Sequence, residues 1–405
     1  MASLDRPRRI LQVDADAFFV QVARLADPEG AGRAELLLVG GSPSRRGVVT
    51  SASYAARAHG AHSAMPMARA LRLCPQAMVV PVPRKLCGEK SRAIVAVLRR
   101  FTPVVQPASI DEMYLDLTGT EGLYHGEPLE ETARRIRETV RRETEIAVSV
   151  GGGANKLIAK LAAGRAKPHR TPAADGVLIV PPGEEAAFLA THDLAAIPGV
   201  GPRFQERLEQ LGMRTVRDAL AHERGSLRRL LGERAGEWLY ARIRGVDTSE
   251  VAARERAKSI SRDETFAEDL TTDDELAAQL LRLSDRAAAD LRAGGHAART
   301  ITVRIRDFDF TTRSASRTLQ RPVISDRAIF ATARELMMAL RMKRHVPARY
   351  LSVVLSGLGD EGDADQLALF EEAADALETD RDRRLARTVD AVRGKFGPDA
   401  VRRGG

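Results

Sequence analysis

The 405-residue sequence predicts an α+β protein of several domains, with a ferredoxin-like sheet in its N-terminal part. Three observations carry that prediction. Apolar and amphipathic segments in the first ~170 residues follow the order strand, helix, strand, strand, helix, strand, which is the split pattern of a ferredoxin-like sheet with its helices on one side. From about Asp193 the texture changes to short helices with Gly-rich turns. A mixed segment, about Arg254 to Ser356, then alternates strands such as "RTITVRIRDF" with helices such as "DDELAAQLLRLSDRAAADLRA", as a small α/β domain would.

The opening "RRILQVDADAFFVQVARL" reads as a buried strand running into a helix, with Val13 and Ala15 on one face and Asp14 and Asp16 on the other. "ELLLVGG" and "RGVVTSASY" are further strands, and "PMARALRLCP" is a helix bounded by Pro66 and Pro75. "EKSRAIVAVLRRF" has helical spacing, and "PASIDEMYLDLTG" follows it as two short strands around a turn. "LEETARRIRETVRRETE" is an amphipathic helix, "IAVSVGGG" a strand, and "ANKLIAKLAAGRAKP" a helix ended at Lys167-Pro168, because a residue before proline avoids helical angles. After Gly359 come an acidic linker, "QLALF" and a helical tail.

The chain is 44% hydrophobic and 29% charged, which suits a folded protein of about three or four compact units and excludes a disordered or fibrous one. Its net charge of +8 favours a polyanionic partner. The two cysteines, Cys74 and Cys87, have neither zinc-site nor disulfide spacing, so a reduced, cytoplasmic setting is expected. No apolar run spans a bilayer, and the N-terminus lacks the apolar core of a signal peptide.

Asp14 lies at the end of one strand, and Asp111 with Glu112 at a turn between two others. Neighbouring side chains on a regular strand point apart, but a turn or bulge lets adjacent acids aim at one site. Three converging carboxylates repel one another unless cations neutralise them. Oxygen-only ligands favour hard divalent ions, with Mg²⁺ held by carboxylates and substrate phosphates the usual case. Asp16 and Asp116 are read as solvated or supporting acids.

Phosphate binders are expected nearby. Tyr54 and Arg57 in "SASYAARAHG" are three apart and share a helical face. Lys156, Lys160 and Lys167 recur at intervals of four and seven along one helical stripe. Beside a metal-binding acid cluster, that stripe reads as a cradle for a triphosphate.

Four blocks, "VDADAFF", "SASYAARAHGAHSAMPM", "SIDEMYLDLTG" and "NKLIAKLAAGRAKP", resemble the signature blocks of Y-family DNA polymerases of the bacterial DNA polymerase IV group, in order and with matching separations. The resemblance covers about Ile10 to Phe370. It implies a palm built from residues 1–18 and 78–172, small fingers at 19–77, a helical thumb at 173–245, a little finger at 246–358, and a linker, clamp-binding peptide and helical tail at 359–405. It further implies template-directed, low-fidelity translesion synthesis. Asp14 and Asp111 would bridge two Mg²⁺ ions, with Glu112 and the backbone carbonyl of Ala15 as further ligands. Tyr54, Arg57 and Lys167 would contact the deoxynucleoside triphosphate. Phe18 and Phe19 fall on the nucleotide side: Phe19 matches the aromatic gate that crowds a ribose 2′-hydroxyl, while Phe18 is equally natural as a core aromatic. Small fingers imply a roomy site that admits damaged template bases.

For primer-template DNA, Gly199-Val200-Gly201 resembles the turn of a helix-hairpin-helix, whose backbone N–H groups can reach a phosphate. "KSISRDETF" and "DFTTRSASRTL" resemble the little finger, and Lys258, Ser259, Arg313, Ser314 and Arg317 are candidates for backbone contacts. Gln366, Leu367, Leu369 and Phe370 match the peptide that docks on the bacterial sliding clamp (beta). A monomer is expected.

Several positions depart from the family pattern: Ala23 stands where an acid is common, Gln106 where a Glu is, Cys87 where an aromatic is, and "GGGANK" is unusually rich in glycine. None removes an expected ligand. Two rival readings are a nucleotidyl cyclase-like two-metal enzyme, which would need neither a DNA-gripping hairpin nor a clamp peptide, and a non-catalytic DNA- or clamp-binding relative, which would tolerate loss of the acids.

Overall fold

The computed structural model describes residues 8–168, 174–252, 256–360, 377–397 and 400–401, and the chain divides into two compact units, residues 1–255 and 256–405. In the first, β1 (Ile10–Ala15) turns through Ala17 into α1 (Phe18–Ala26). β2 (Leu37–Gly40), β3 (Val49–Ala52), α2 (Tyr54–Ala58), α3 (Met67–Leu73) and β4 (Met78–Val80) follow, and the three strands form a small sheet of order β3-β2-β4. This sheet reaches Val80, so the strand after residue 77 pairs with the expected fingers rather than the palm. Next come α4 (Arg84–Leu98), β5 (Val105–Pro107), β6 (Glu112–Asp116), α5 (Leu129–Thr144), β7 (Val148–Gly153), α6 (Lys156–Ala166) and β8 (Val177–Ile179). With β1 they build a five-stranded sheet of order β5-β6-β1-β7-β8. Its first four strands are antiparallel in ferredoxin-like order, and β8 adds a parallel edge.

The two-residue strand period sorts this sheet's faces. Leu11, Val13, Ala15, Met113, Leu115, Val148 and Val150 point into a core with α1, α4 and α5. Gln12, Asp14, Glu112, Tyr114, Ser149 and Gly151 occupy the opposite face, in register across β1, β6 and β7. The sequence led us to expect helices on one face only, yet α6 packs on this second face. Glycine is the reason. A Cβ at Gly151 would lie 1.9 Å from the Ala163 nitrogen and 2.3 Å from the Ala159 oxygen, and one at Gly153 would lie 2.4 Å from an Ile158 methyl. The glycine-rich departure thus lets a helix sit directly on strand backbone. Gly151→Ala is expected to cost about 3 kcal/mol or more, beyond ordinary overpacking because the obstacle is backbone; thermal unfolding checks it.

The other face of α6 belongs to a helical layer. It comprises α7 (Glu185–Leu189), a 3₁₀ turn (Leu194–Ala196), α8 (Pro202–Gln210), α9 (Val216–Leu220), α10 (Arg224–Leu231) and α11 (Glu233–Arg242). Leu157 and Leu161 of α6 share a core with Leu194, Leu208, Leu227 and Leu239. The first helix of the expected hairpin is a single 3₁₀ turn. Gly199 is left-handed (φ +105°), and a Cβ there would meet the Trp238 ring at 2.6 Å, so both angle and space require glycine.

The second unit holds β9 (Ser259–Leu270), α12 (Asp273–Ala293), β10 (His296–Asp307), β11 (Thr312–Val323), α13 (Asp326–Lys343), β12 (Ala348–Asp360) and α14 (Asp380–Phe396). Its antiparallel sheet, β11-β10-β12-β9, buries Ile301, Val303, Ile305, Leu351, Val353 and Leu355 under α12 and α13. α14, the helical tail, is fastened to this unit by ion pairs: Arg292 with Asp390, Arg393 with Asp285, and Arg327 with Asp382.

Candidate active site

Asp14 and Glu112 are direct cross-strand partners between β1 and β6, so their side chains rise together from the α6 face of the sheet. Asp111 precedes β6 in a bend, and its carbonyl accepts the Ala15 N–H at 2.9 Å, which ties the bend to the end of β1. Ser109 shapes the bend: its hydroxyl accepts the N–H groups of Asp111 and Glu112 and donates to the Asp111 carboxylate. The adjacency of the two acids works because the bend ends where the strand begins.

The lysine stripe of α6 lies over consecutive strands. Lys156 donates to the Gln106 side chain on β5 (2.9 Å), Lys160 to Glu112 on β6 (2.6 Å), and Lys167, just beyond the helix, to Asp14 on β1 (2.7 Å). Asp14 and Lys167 are mostly buried, with side chains 15% and 16% exposed. Burial pushes the Asp14 carboxyl above the usual range, Lys167 opposes this, and Glu112 and Asp111 add to it. Among the described residues no group of three His, Cys, Asp or Glu side chains is arranged to hold a metal ion. The three acids converge through the backbone, while Asp14 and Glu112 turn toward ammonium groups rather than toward each other, as like charges do.

Asp16, which the sequence left aside, is not solvated. It is 9% exposed, takes the Ser149 hydroxyl at 2.9 Å, and is pushed above the usual range by burial, with Lys167 opposing. Gln12 was missed altogether. It is fully buried on β1 and donates to the same Glu112 oxygen as Lys160. Its signal was a polar residue two before Asp14, on the same strand face. Asp116 sits opposite Ile10 at the far end of the β1–β6 pair, and Arg8 lies 3.8 Å from it, consistent with its exclusion from the site.

Phe18 is 1% exposed and belongs to the sheet's core, which corrects its expected place beside the nucleotide. Phe19 is half-buried against that core and that of the small sheet, edge-on to Phe18 at 5.5 Å. Tyr54 and Arg57 share a face of α2, with the guanidinium 5.1 Å from the ring centroid, and Arg57 donates to the Ala52 carbonyl at 2.9 Å. That pair belongs to the small sheet.

In the second unit, strand parity separates the expected DNA contacts. Ser259 and Ser314 lie on the sheet face away from the helices, with Thr300, Thr302, Arg304 and Arg306, which the sequence did not single out. Arg313 and Arg317 lie on the helix side. Arg313 forks onto the fully buried Asp307, and Arg317 pairs with Glu335 of α13. Lys258 precedes β9. The clamp-peptide residues Gln366, Leu367, Leu369 and Phe370 lie outside the described residues.

The departures fit their surroundings. Ala23 is packed against Ala31, Leu37 and Val39, where an acid would be buried among apolar groups. Cys87 is core, its thiol pushed up by burial. Among the described residues no helix is long and apolar enough to cross a membrane.

Residues 13–164 match the impB/mucB/samB family, 257–369 its C-terminal domain, and 195–247 the thumb domain of DNA polymerase-iota. DNA polymerase IV of Dehalococcoides mccartyi strain CBDB1 is 37% identical over 397 residues, 98% of this chain and 97% of that protein. DNA polymerase IV of Alkalilimnicola ehrlichii is 38% identical over 366 residues, covering 90% and 99%. A Y-family polymerase chimera of Dbh and Dpo4 superimposes with TM-score 0.76 at 25% identity, covering 86% of this chain and 99% of that one. DinB from Sulfolobus solfataricus gives 0.56 at 26%, covering 86% and 98%. An α6 lysine stripe over paired strand carboxylates, full-length likeness to DNA polymerase IV and a matching fold lead to one conclusion: the chain belongs to the Y-family DNA polymerases, in the DNA polymerase IV group.

Proposed function

We propose that the chain performs low-fidelity translesion synthesis, extending a primer 3′-hydroxyl from deoxynucleoside triphosphates, with Asp14, Asp111 and Glu112 as its catalytic acids. The observation that carries this is the registered Asp14–Glu112 pair, joined by Asp111 through the Ala15 N–H and faced by Lys160 and Lys167. The donor set fits two Mg²⁺ ions: it is all oxygen, it already draws cations, and the paired strands set Asp14 and Glu112 side by side. Asp14, Asp111 and Glu112, with the Ala15 carbonyl, would hold them. When bound, such ions activate the primer hydroxyl and neutralise charge on the triphosphate.

The chain's own residues do the rest. Lys167 exchanges Asp14 for a phosphate oxygen, a swap between two anions that costs little desolvation. Tyr54 and Arg57 approach the triphosphate from the small sheet, and Phe19 crowds the ribose. The small three-stranded sheet supplies a modest lid, so shape checking of the nascent pair is weak and damaged templates are admitted. The Gly199–Gly201 turn and the hydroxyl- and Arg-bearing sheet face of the second unit hold DNA by its phosphates. Gln366 to Phe370 dock on the sliding clamp of a bacterial cytoplasm, and the chain acts as a monomer.

Primer extension with the purified chain, a primed template, deoxynucleotides and Mg²⁺ tests the reading. Template-directed extension that stops on chelation is expected, including past an abasic site. Failure to extend an undamaged template overturns it.

A further inference from the structure

Between β1 and α1 the backbone takes a turn that non-glycine residues seldom adopt: Ala17 is left-handed (φ 44°, ψ 47°). Such a residue persists only where its surroundings over-determine it. The ordinary device is missing, since α1 starts at Phe18 with no side-chain cap. Gln21, in the helix's first turn, stands in its place. Its amide nitrogen donates to the carbonyls of Asp16 (2.5 Å) and Ala147 (2.9 Å), and its oxygen accepts the Ala147 N–H (2.8 Å). The last registered pair of the β1–β7 ladder is Ala15 with Val148, and Asp16 N–H still reaches the Ala147 carbonyl at 3.0 Å. Gln21 therefore continues the ladder with a side chain where the main chain has turned away. It pins the strand end that carries Asp14 and the helix start that carries Phe19 to the same edge of β7.

We infer that Gln21 is a positioning residue for sugar selection: it fixes the turn from which Phe19 projects, and so sets how closely that ring crowds the ribose. The inference rests on the reading of Phe19 as the gate. A gate works by contact, so a displacement of a fraction of an ångström changes what it excludes, whereas Phe18, locked in the core, cannot compensate.

The test measures kcat/KM for a ribonucleotide and its deoxynucleotide in wild type, Phe19→Ala, Gln21→Met, Gln21→Glu and Phe19→Ala/Gln21→Met. Gln21→Met keeps the volume and loses all three hydrogen bonds; its deoxy-over-ribo preference is expected to fall roughly ten-fold, within the range a misplaced group can cost. Gln21→Glu keeps only the acceptor for Ala147 and sets a carboxylate oxygen against the Asp16 and Ala147 carbonyls, so its ratio should fall at least as far. Because Gln21 acts through Phe19, the double variant should discriminate no worse than Phe19→Ala alone. A merely structural role would slow both sugars equally and leave the ratio unchanged. That result in both Gln21 variants, with Phe19→Ala lowering the ratio, overturns the inference while sparing the gate. An unchanged ratio in Phe19→Ala overturns the gate and with it this role for Gln21. If Gln21→Met fails to fold, the ratio in Gln21→Glu decides.

Discussion

Asp14→Asn is expected to slow nucleotide addition on the order of 10³-fold or more while leaving the metal-free protein as stable as wild type, or more so. The two halves of this result have one cause. Asp14 is a mostly buried carboxylate set beside Glu112 and Asp111, and burial raises its carboxyl above the usual range despite Lys167. Asp16, close by and also raised by burial, adds to the crowd. An acid whose folded value is raised costs stability above that value, and the cost disappears as pH falls through it toward the unfolded value. In chelator the wild type should therefore gain stability on mild acidification through these two groups, and Asp14→Asn should show less of that gain. The amide removes the penalty but cannot bind a cation as a carboxylate does, and Lys167 keeps Asp16 as a neighbour. Asp111→Ala should lose activity equally with little change in stability, since Asp111 lies in a bend where, among the described residues, the side chain hydrogen-bonded to its carboxylate is that of Ser109. Single-turnover extension and urea unfolding at two pH values check both. A variant that melts well below wild type and still extends primers would make Asp14 a structural acid.

What sequence could and could not show follows from period and register. Helical spacing put Lys156, Lys160 and Lys167 on one stripe; of these, Lys160 meets Glu112 from α6, Lys156 meets Gln106, and Lys167 reaches Asp14 from extended backbone just beyond the helix. The pleat placed Asp14 and Asp16 on one strand face, and the structure agrees. What a single sequence does not carry is which strand lies beside which residue. Gln12 contacts Glu112 only because β1 and β6 are paired in one particular register. The position of α6 on the second face depended on glycines whose effect is seen only when a helix lies against them. Gln106 looked like the loss of an acid, yet it accepts from Lys156, so a polar contact survives at that position without the charge. In the second unit, Arg313 and Ser314 share one block that resembles the little finger, yet in a strand neighbours face opposite ways.

That last distinction has a large measurable consequence. Arg313→Ala is expected to destabilise the second unit by about 3 kcal/mol, because it strips a fork of hydrogen bonds from a carboxylate that cannot be resolvated. Asp307 is fully buried; Arg313 reaches both of its oxygens, at 2.7 and 3.0 Å, and also donates to the Leu340 carbonyl near the end of α13. The β10–β11 hairpin is thereby fastened to the helix that covers it. Arg344 remains on Asp307 at 2.8 Å, which keeps the loss below that of a wholly orphaned charge. Arg304, one residue along β10 from Ile305 and on the opposite face, is exposed. Arg304→Ala should leave stability within about 0.5 kcal/mol, weaken DNA binding uniformly across sequences, and lower the slope of log K against log salt by about 1. Thermal melts and salt-dependent binding of both variants separate the two roles. Weakened DNA binding by Arg313→Ala at unchanged melting temperature would return Arg313 to the DNA. A lowered melting temperature with the salt slope intact keeps it under the helices, because a phosphate contact and a buried ion pair cannot both use the same guanidinium edge.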